Sequence, residues 1–185
     1  FQTRDECLAI ESRDSWFKPV DIKLGPDGAI YVADWYDGQV NHYRNHEGQI
    51  DTTNGRIYRL AARGSRPAPA ENLGALSSAA LVDRLSDANR WQRFTALRLL
   101  GDRRDAAVLP LIRARLEACT TPRALDLLWA LHLCGGLDEA TATQLLHHPE
   151  PFVRLWSARL ICDNECVSEA FADALASAAL REEHL

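Results

Sequence analysis

The chain has 185 residues, with 21 Lys and Arg against 26 Asp and Glu and a net charge of -5. That length allows one large or two small domains. The balance is acidic in both halves, 7 basic to 10 acidic residues through position 60 and 14 to 16 after it, which argues against non-specific nucleic-acid binding. No run of 18 apolar residues occurs, so no membrane span is expected.

Residues 1–15 are ambiguous, and Trp16 and Phe17 read as core anchors. In Phe17 to Trp35 (FKPVDIKLGPDGAIYVADW), Val20, Ile22 and Leu24 alternate with Asp21 and Lys23, the period of a strand with one apolar face. Gly25-Pro26-Asp27-Gly28 is a turn, and Ala29 to Ala33 is apolar on both faces. A hairpin buried on both sides needs other sheets stacked on it, the condition of a β-propeller blade. Gln39 to Asn54 is an unusually polar stretch, and Gly55 to Leu60 resumes as a strand. Successive antiparallel connections fall at opposite ends of a sheet, so this polar segment and the Gly25–Gly28 turn are expected on opposite sides. A long polar loop inside a compact unit is more often functional than a tight turn is.

Composition changes near residue 65. All four tyrosines precede it, and after Asn72 the chain is dominated by Ala, Leu and Arg. The boundaries read as 1–62 for sheet, 63–74 for linker and 75–185 for helix. Seven helices are expected: Ser77–Leu85, Arg90–Leu100, Ala106–Ala118, Pro122–Cys134, Asp138–His147, Pro151–Ile161 and Val167–Leu180, each with apolar residues three and four apart. ALRLLG at Ala96 returns as ALHLCG at Ala130 and ARLICD at Ala158, and Arg93, Arg123 and Arg154 recur every 30 or 31 residues. Paired helices on that period predict an α-solenoid. HPEPFVR at 148–154 resembles the HEAT-repeat turn. The expected fold class is therefore α+β multidomain, a partial β-propeller blade of antiparallel strands followed by a HEAT/armadillo-like α-solenoid.

The segment PVDIKLGPDGAIYVADWYDGQVNHYRNHEGQIDTTNGRIYRL resembles the end of the propeller in the membrane-bound-dehydrogenase family of planctomycetes and related bacteria. That propeller is similar to the quinoprotein glucose/sorbosone dehydrogenases. It is followed by HEAT-like repeats and commonly by a c-type cytochrome domain. The resemblance implies a periplasmic or secreted sugar- or alcohol-oxidising protein. It implies a quinone of the PQQ kind or calcium as cofactor in the full-length protein. The missing blades and a c-type cytochrome would be the partners. No CxxCH haem motif and no Met occur in these 185 residues, and the chain reads as an interior piece, inactive by itself.

Within the polar segment, His42 and His46 beside Arg44 suit substrate oxidation. A histidine takes the hydroxyl proton and the arginine holds a developing anion. Tyr43, Asn45 and Asp51 would contribute to binding. The competing reading is a solvated loop whose Arg and Asp pair with each other. Asp34 and Asp37 are calcium candidates, set against Asp34 accepting backbone N–H bonds at the strand end. Trp91, Trp129 and Trp156 read as core packing or a surface ridge; Arg93, Arg123 and Arg154 as a ladder bonding carbonyls or carboxylates, or as a ligand-binding stripe. Of the five cysteines, Cys162 and Cys166 either pair or remain packed thiols. The alternative to an enzyme part is a scaffold without chemistry that binds a protein or polysaccharide on its helices.

Overall fold

In the computed structural model, which describes residues 10–36, 53–66, 71–163 and 166–183, the alternating segment is strand β1 (Pro19–Leu24). It pairs antiparallel with β2 (Ile30–Asp34), which pairs antiparallel with β3 (Arg56–Leu60). The order β1-β2-β3 makes an open sheet. Register sets Ile22 beside Val32 and Tyr58, and Leu24 beside Ile30 and Leu60, so one face is apolar.

The turn between β1 and β2 is fixed by short-range chemistry. Gly28 has φ +79°, a conformation glycine adopts at little cost. The Asp27 carboxylate accepts the Ala29 N–H at 3.1 Å, the Tyr31 hydroxyl at 3.2 Å and the Arg59 Nε at 2.7 Å. One turn residue thus ties the β1–β2 turn to β2 and β3. The bond from Arg59 holds the Asp27 carboxyl below the usual carboxylate range.

The chain divides into two compact units, Phe1–Ala70 and Glu71–Leu185. The second contains α1 (Ser78–Arg84), α2 (Arg90–Arg103), α3 (Leu109–Ala118), α4 (Ala124–Leu133), α5 (Glu139–Leu145), α6 (Pro151–Cys162) and α7 (Glu169–Ala179). Their starts are local. Ser77, Asn89, Asp138 and Ser168 each accept a first-turn backbone N–H, and Pro151 opens α6, where its missing N–H is harmless. α1 packs on α2, α3 on α4 and α5 on α6, and α4 touches both α2 and α6. Leu81, Leu100, Ile112, Leu128, Leu131 and Val153 anchor the main core.

The architecture corrects the expected partial blade and HEAT/armadillo-like solenoid. The described residues form an α+β chain, an open three-stranded sheet followed by helices, and a stacked solenoid is not shown. β1 is exposed along its whole length and Ile30 is exposed on β2, so the doubly buried hairpin inferred from Ala29–Ala33 is not present; only Ala29 and Val32 are buried there as apolar residues. The repeating Ala-Leu signal counts helices, but a solenoid also needs successive pairs to make equivalent interfaces. Here the helices range from 7 to 14 residues. Ala96 and Ala130 lie in the main core, whereas Ala158 packs at the edge of a separate cluster of Ala142, Leu146, Ile161 and Phe171.

Candidate functional site

His42, Tyr43, Arg44, Asn45, His46, Asp51 and Asp37 lie outside the described residues. Their flanks are placed: Asp34 on β2 sits opposite Arg56 on β3, at the end of the sheet away from the Gly25–Gly28 turn. Asp34 is buried, and its Oδ1 accepts the backbone N–H of Lys18 at 2.8 Å and of Tyr36 at 3.0 Å. That is the strand-end cap open to this residue. Its Oδ2 is buried with no partner among the described residues. Tyr36, at φ +54°, meets Trp16 at a 46° tilt with ring centres 5.7 Å apart and lies under the Arg56 guanidinium, 3.9 Å from the ring centre. Among the described residues no three His, Cys, Asp or Glu side chains converge as a metal would require. Calcium takes about six to eight oxygens, and one free carboxylate oxygen among the described residues does not make its site.

A second constellation lies on the helical unit. Arg93 projects from the first turn of α2. Its Nη1 donates to the carbonyls of Asp87 and Ala88 at 2.9 and 3.1 Å, and its Nε donates to Asp126 Oδ2 on α4 at 3.1 Å. Arg123, just before α4, reaches back to the same Asp87 carbonyl at 3.0 Å. Arg154 on α6 repeats the Arg93 arrangement. Its Nη1 bonds the carbonyls of His148 and Pro149, and its Nε and Nη2 grip Glu182 at 2.7 and 2.6 Å. The recurring arginines therefore form the expected ladder. Burial pushes the Asp126 carboxyl above its usual range despite the opposing pull of Arg93, Arg123 and Arg90.

Beside this ladder runs an aromatic stripe. Phe94, Trp129 and Trp156 meet edge-on, with ring centres 6.5 and 5.3 Å apart. Arg90 lies over Phe94 at 4.7 Å and Arg159 over Trp156 at 4.8 Å. Trp91, Trp129 and Trp156 are half-buried against the main core, so they serve packing and surface together. Arg90, Arg93, Arg123, Asp126, Phe94 and Trp129 line one open groove of about 630 Å³. Sequence reasoning found Arg93, Arg123 and Trp129 from their period. It missed Arg90, Phe94 and Asp126; the one local signal was that Arg90 and Phe94 lie four apart on a helix.

Other expectations resolve simply. Cys119, Cys134, Cys162 and Cys166 are unpaired, and Cys162 and Cys166 are exposed rather than packed. His148 is buried between the Leu116 carbonyl, 3.2 Å from its Nε2, and the Glu150 N–H, 3.1 Å from its Nδ1; it closes the end of α3. No described helix is long and apolar enough to cross a membrane.

The fold and this groove define an α+β chain whose helical unit carries an open groove lined by arginines and aromatic rings. Residues 2–64 match the family model of a domain of unknown function, DUF7133; the match ends before the helical unit begins at Glu71. No curated protein and no solved structure matches the chain.

Proposed function

We propose that this chain is part of a dehydrogenase-like protein, periplasmic or secreted, that oxidises a sugar or alcohol, and that its helical unit docks the protein receiving the electrons. The observation that carries the first half is the uncovered sheet. Ile22 and Ile57 are 60% and 74% exposed, and neither β1 nor β3 pairs with a further described strand. Proteins normally cover open edges and aliphatic faces, so this sheet reads as a surface that further protein covers. The chemistry follows from the resemblance of residues 16–60 to quinoprotein-like dehydrogenases. In that chemistry His42 takes the hydroxyl proton and Arg44 holds the developing anion, with Tyr43, Asn45, His46 and Asp51 beside them.

The test is His42→Ala and Arg44→Ala in the full-length protein, assayed for sugar and alcohol oxidation with an artificial electron acceptor. Loss of a general base is expected to cost about a hundredfold or more in rate. Unchanged oxidation in both variants would remove the segment from the mechanism. A second reading, a scaffold that binds without chemistry, is favoured by the groove between α2 and α4, which holds three arginines and one carboxylate. Full-length protein that oxidises no sugar or alcohol yet retains a partner on this groove would establish it.

A further inference from the structure

We infer that the groove between α2 and α4 binds a carboxylate-bearing, acidic peptide segment of a partner protein, with Arg90 and Arg123 as the residues that grip it. This inference gives chemistry to the docking role proposed above and rests on it.

The ladder itself supplies the argument. Arg93 and Arg154 each hold two carbonyls of the preceding turn and also a carboxylate, Asp126 or Glu182. Arg123, the rung between them, bonds the Asp87 carbonyl and has no carboxylate among the described residues. Arg90 has none either; it is exposed and rests on the Phe94 ring. Three guanidinium groups therefore surround one carboxylate, which Arg93 already engages. The local excess is positive on a protein whose net charge is -5.

A guanidinium presents parallel N–H groups that match a carboxylate. The described residues display that match at the neighbouring rung: Glu182, from the segment after α7, seats both oxygens on Arg154. An incoming Glu or Asp on Arg123 would repeat it. The groove also offers Phe94 and Leu125 to apolar neighbours of that acid. An acidic polysaccharide fits less well. Sugars stack on open flat rings, whereas here Arg90 and Arg159 lie over Phe94 and Trp156, and Trp129 meets both edge-on.

The experiment titrates the whole chain into a fluorescein-labelled octapeptide of alternating glutamate and leucine, read by fluorescence anisotropy. A glutamine-for-glutamate peptide and polygalacturonate serve as comparisons. Saturable binding is expected, weakened by added salt and weakened about tenfold or more by Arg90→Gln and by Arg123→Gln. Arg98→Gln, at a surface ion pair with Asp102, should leave it unchanged. Arg90 is exposed and rests on the exposed Phe94 ring, so its variant is expected to keep the fold, checked by circular dichroism, whatever happens to Arg123→Gln.

Three results would overturn the inference: no saturable binding, equal binding of the glutamine peptide, or parent-like binding by Arg90→Gln. Binding of polygalacturonate in place of the peptide would overturn the choice of a protein partner. Peptide binding that depends on Arg90 and Arg123, with electron transfer in full-length protein indifferent to both, would uphold the inference and remove the docking role.

Discussion

Removing Arg93 should destabilise the helical unit far more than removing an exposed arginine, because it strands a carboxylate already held out of water. The Arg93 and Asp126 side chains are 15% and 12% exposed and meet at 3.1 Å. With charge centres about 4 Å apart and an effective dielectric near 20, their attraction is about 4 kcal/mol. Much of that is offset by desolvation, as the raised Asp126 pKa indicates. Arg93→Ala leaves the penalty without the compensation and also frees the Asp87 and Ala88 carbonyls. The expected loss is about 3 kcal/mol. Arg98→Ala breaks a pair whose members are 65% and 61% exposed and should cost at most about 0.5 kcal/mol. Urea unfolding followed by tryptophan fluorescence and circular dichroism measures both.

The pH dependence has a definite sign. A carboxyl whose folded pKa lies above its unfolded one binds protons first in the folded state, so its penalty shrinks as pH falls. The difference between Arg93→Ala and parent should therefore narrow between pH 7 and about pH 5. Replacing the pair together, Arg93→Met with Asp126→Leu, should recover part of the loss. If Arg93→Ala costs no more than Arg98→Ala, or its cost grows on acidification, the reasoning about a buried rung is refuted.

Other perturbations follow from packing. Leu128 on α4 is fully buried in the main core, so Leu128→Ala should cost about 3–5 kcal/mol in the same urea assay; a loss below about 1 kcal/mol would contradict its placement. A Cβ on Gly25 would come within 2.2 Å of the Tyr31 ring. Gly25→Ala should displace that ring and weaken the sheet by about 1–3 kcal/mol, visible as faster hydrogen exchange of the β1 and β2 amides. Burial pushes the Cys134 thiol up, whereas Cys162 and Cys166 are exposed. Brief iodoacetamide treatment and mass spectrometry should find Cys162 and Cys166 alkylated in the native protein, and Cys134 only after unfolding.

What the sequence determined by itself was local. Asn89, Asp138 and Ser168 mark helix starts because each caps an N–H two or three residues away, and Pro151 marks one because the first helical position needs no N–H. Gly25-Pro26-Asp27-Gly28 marks a turn because Gly28 must take positive φ. The spacing of Arg93, Arg123 and Arg154 announced a ladder, since intervals of 30 and 31 residues bring an arginine to the start of every second helix, α2, α4 and α6. The tertiary structure alone decided which arginines found carboxylates. Asp126 lies 33 residues beyond Arg93, and Glu182 lies 28 beyond Arg154. Those pairings depend on where helices pack, as does the lack of one at Arg123 among the described residues. The same limit misled the reading of the sheet. Alternation tells which side chains share a face, but whether Ile22 is covered depends on a neighbour that its own segment does not encode.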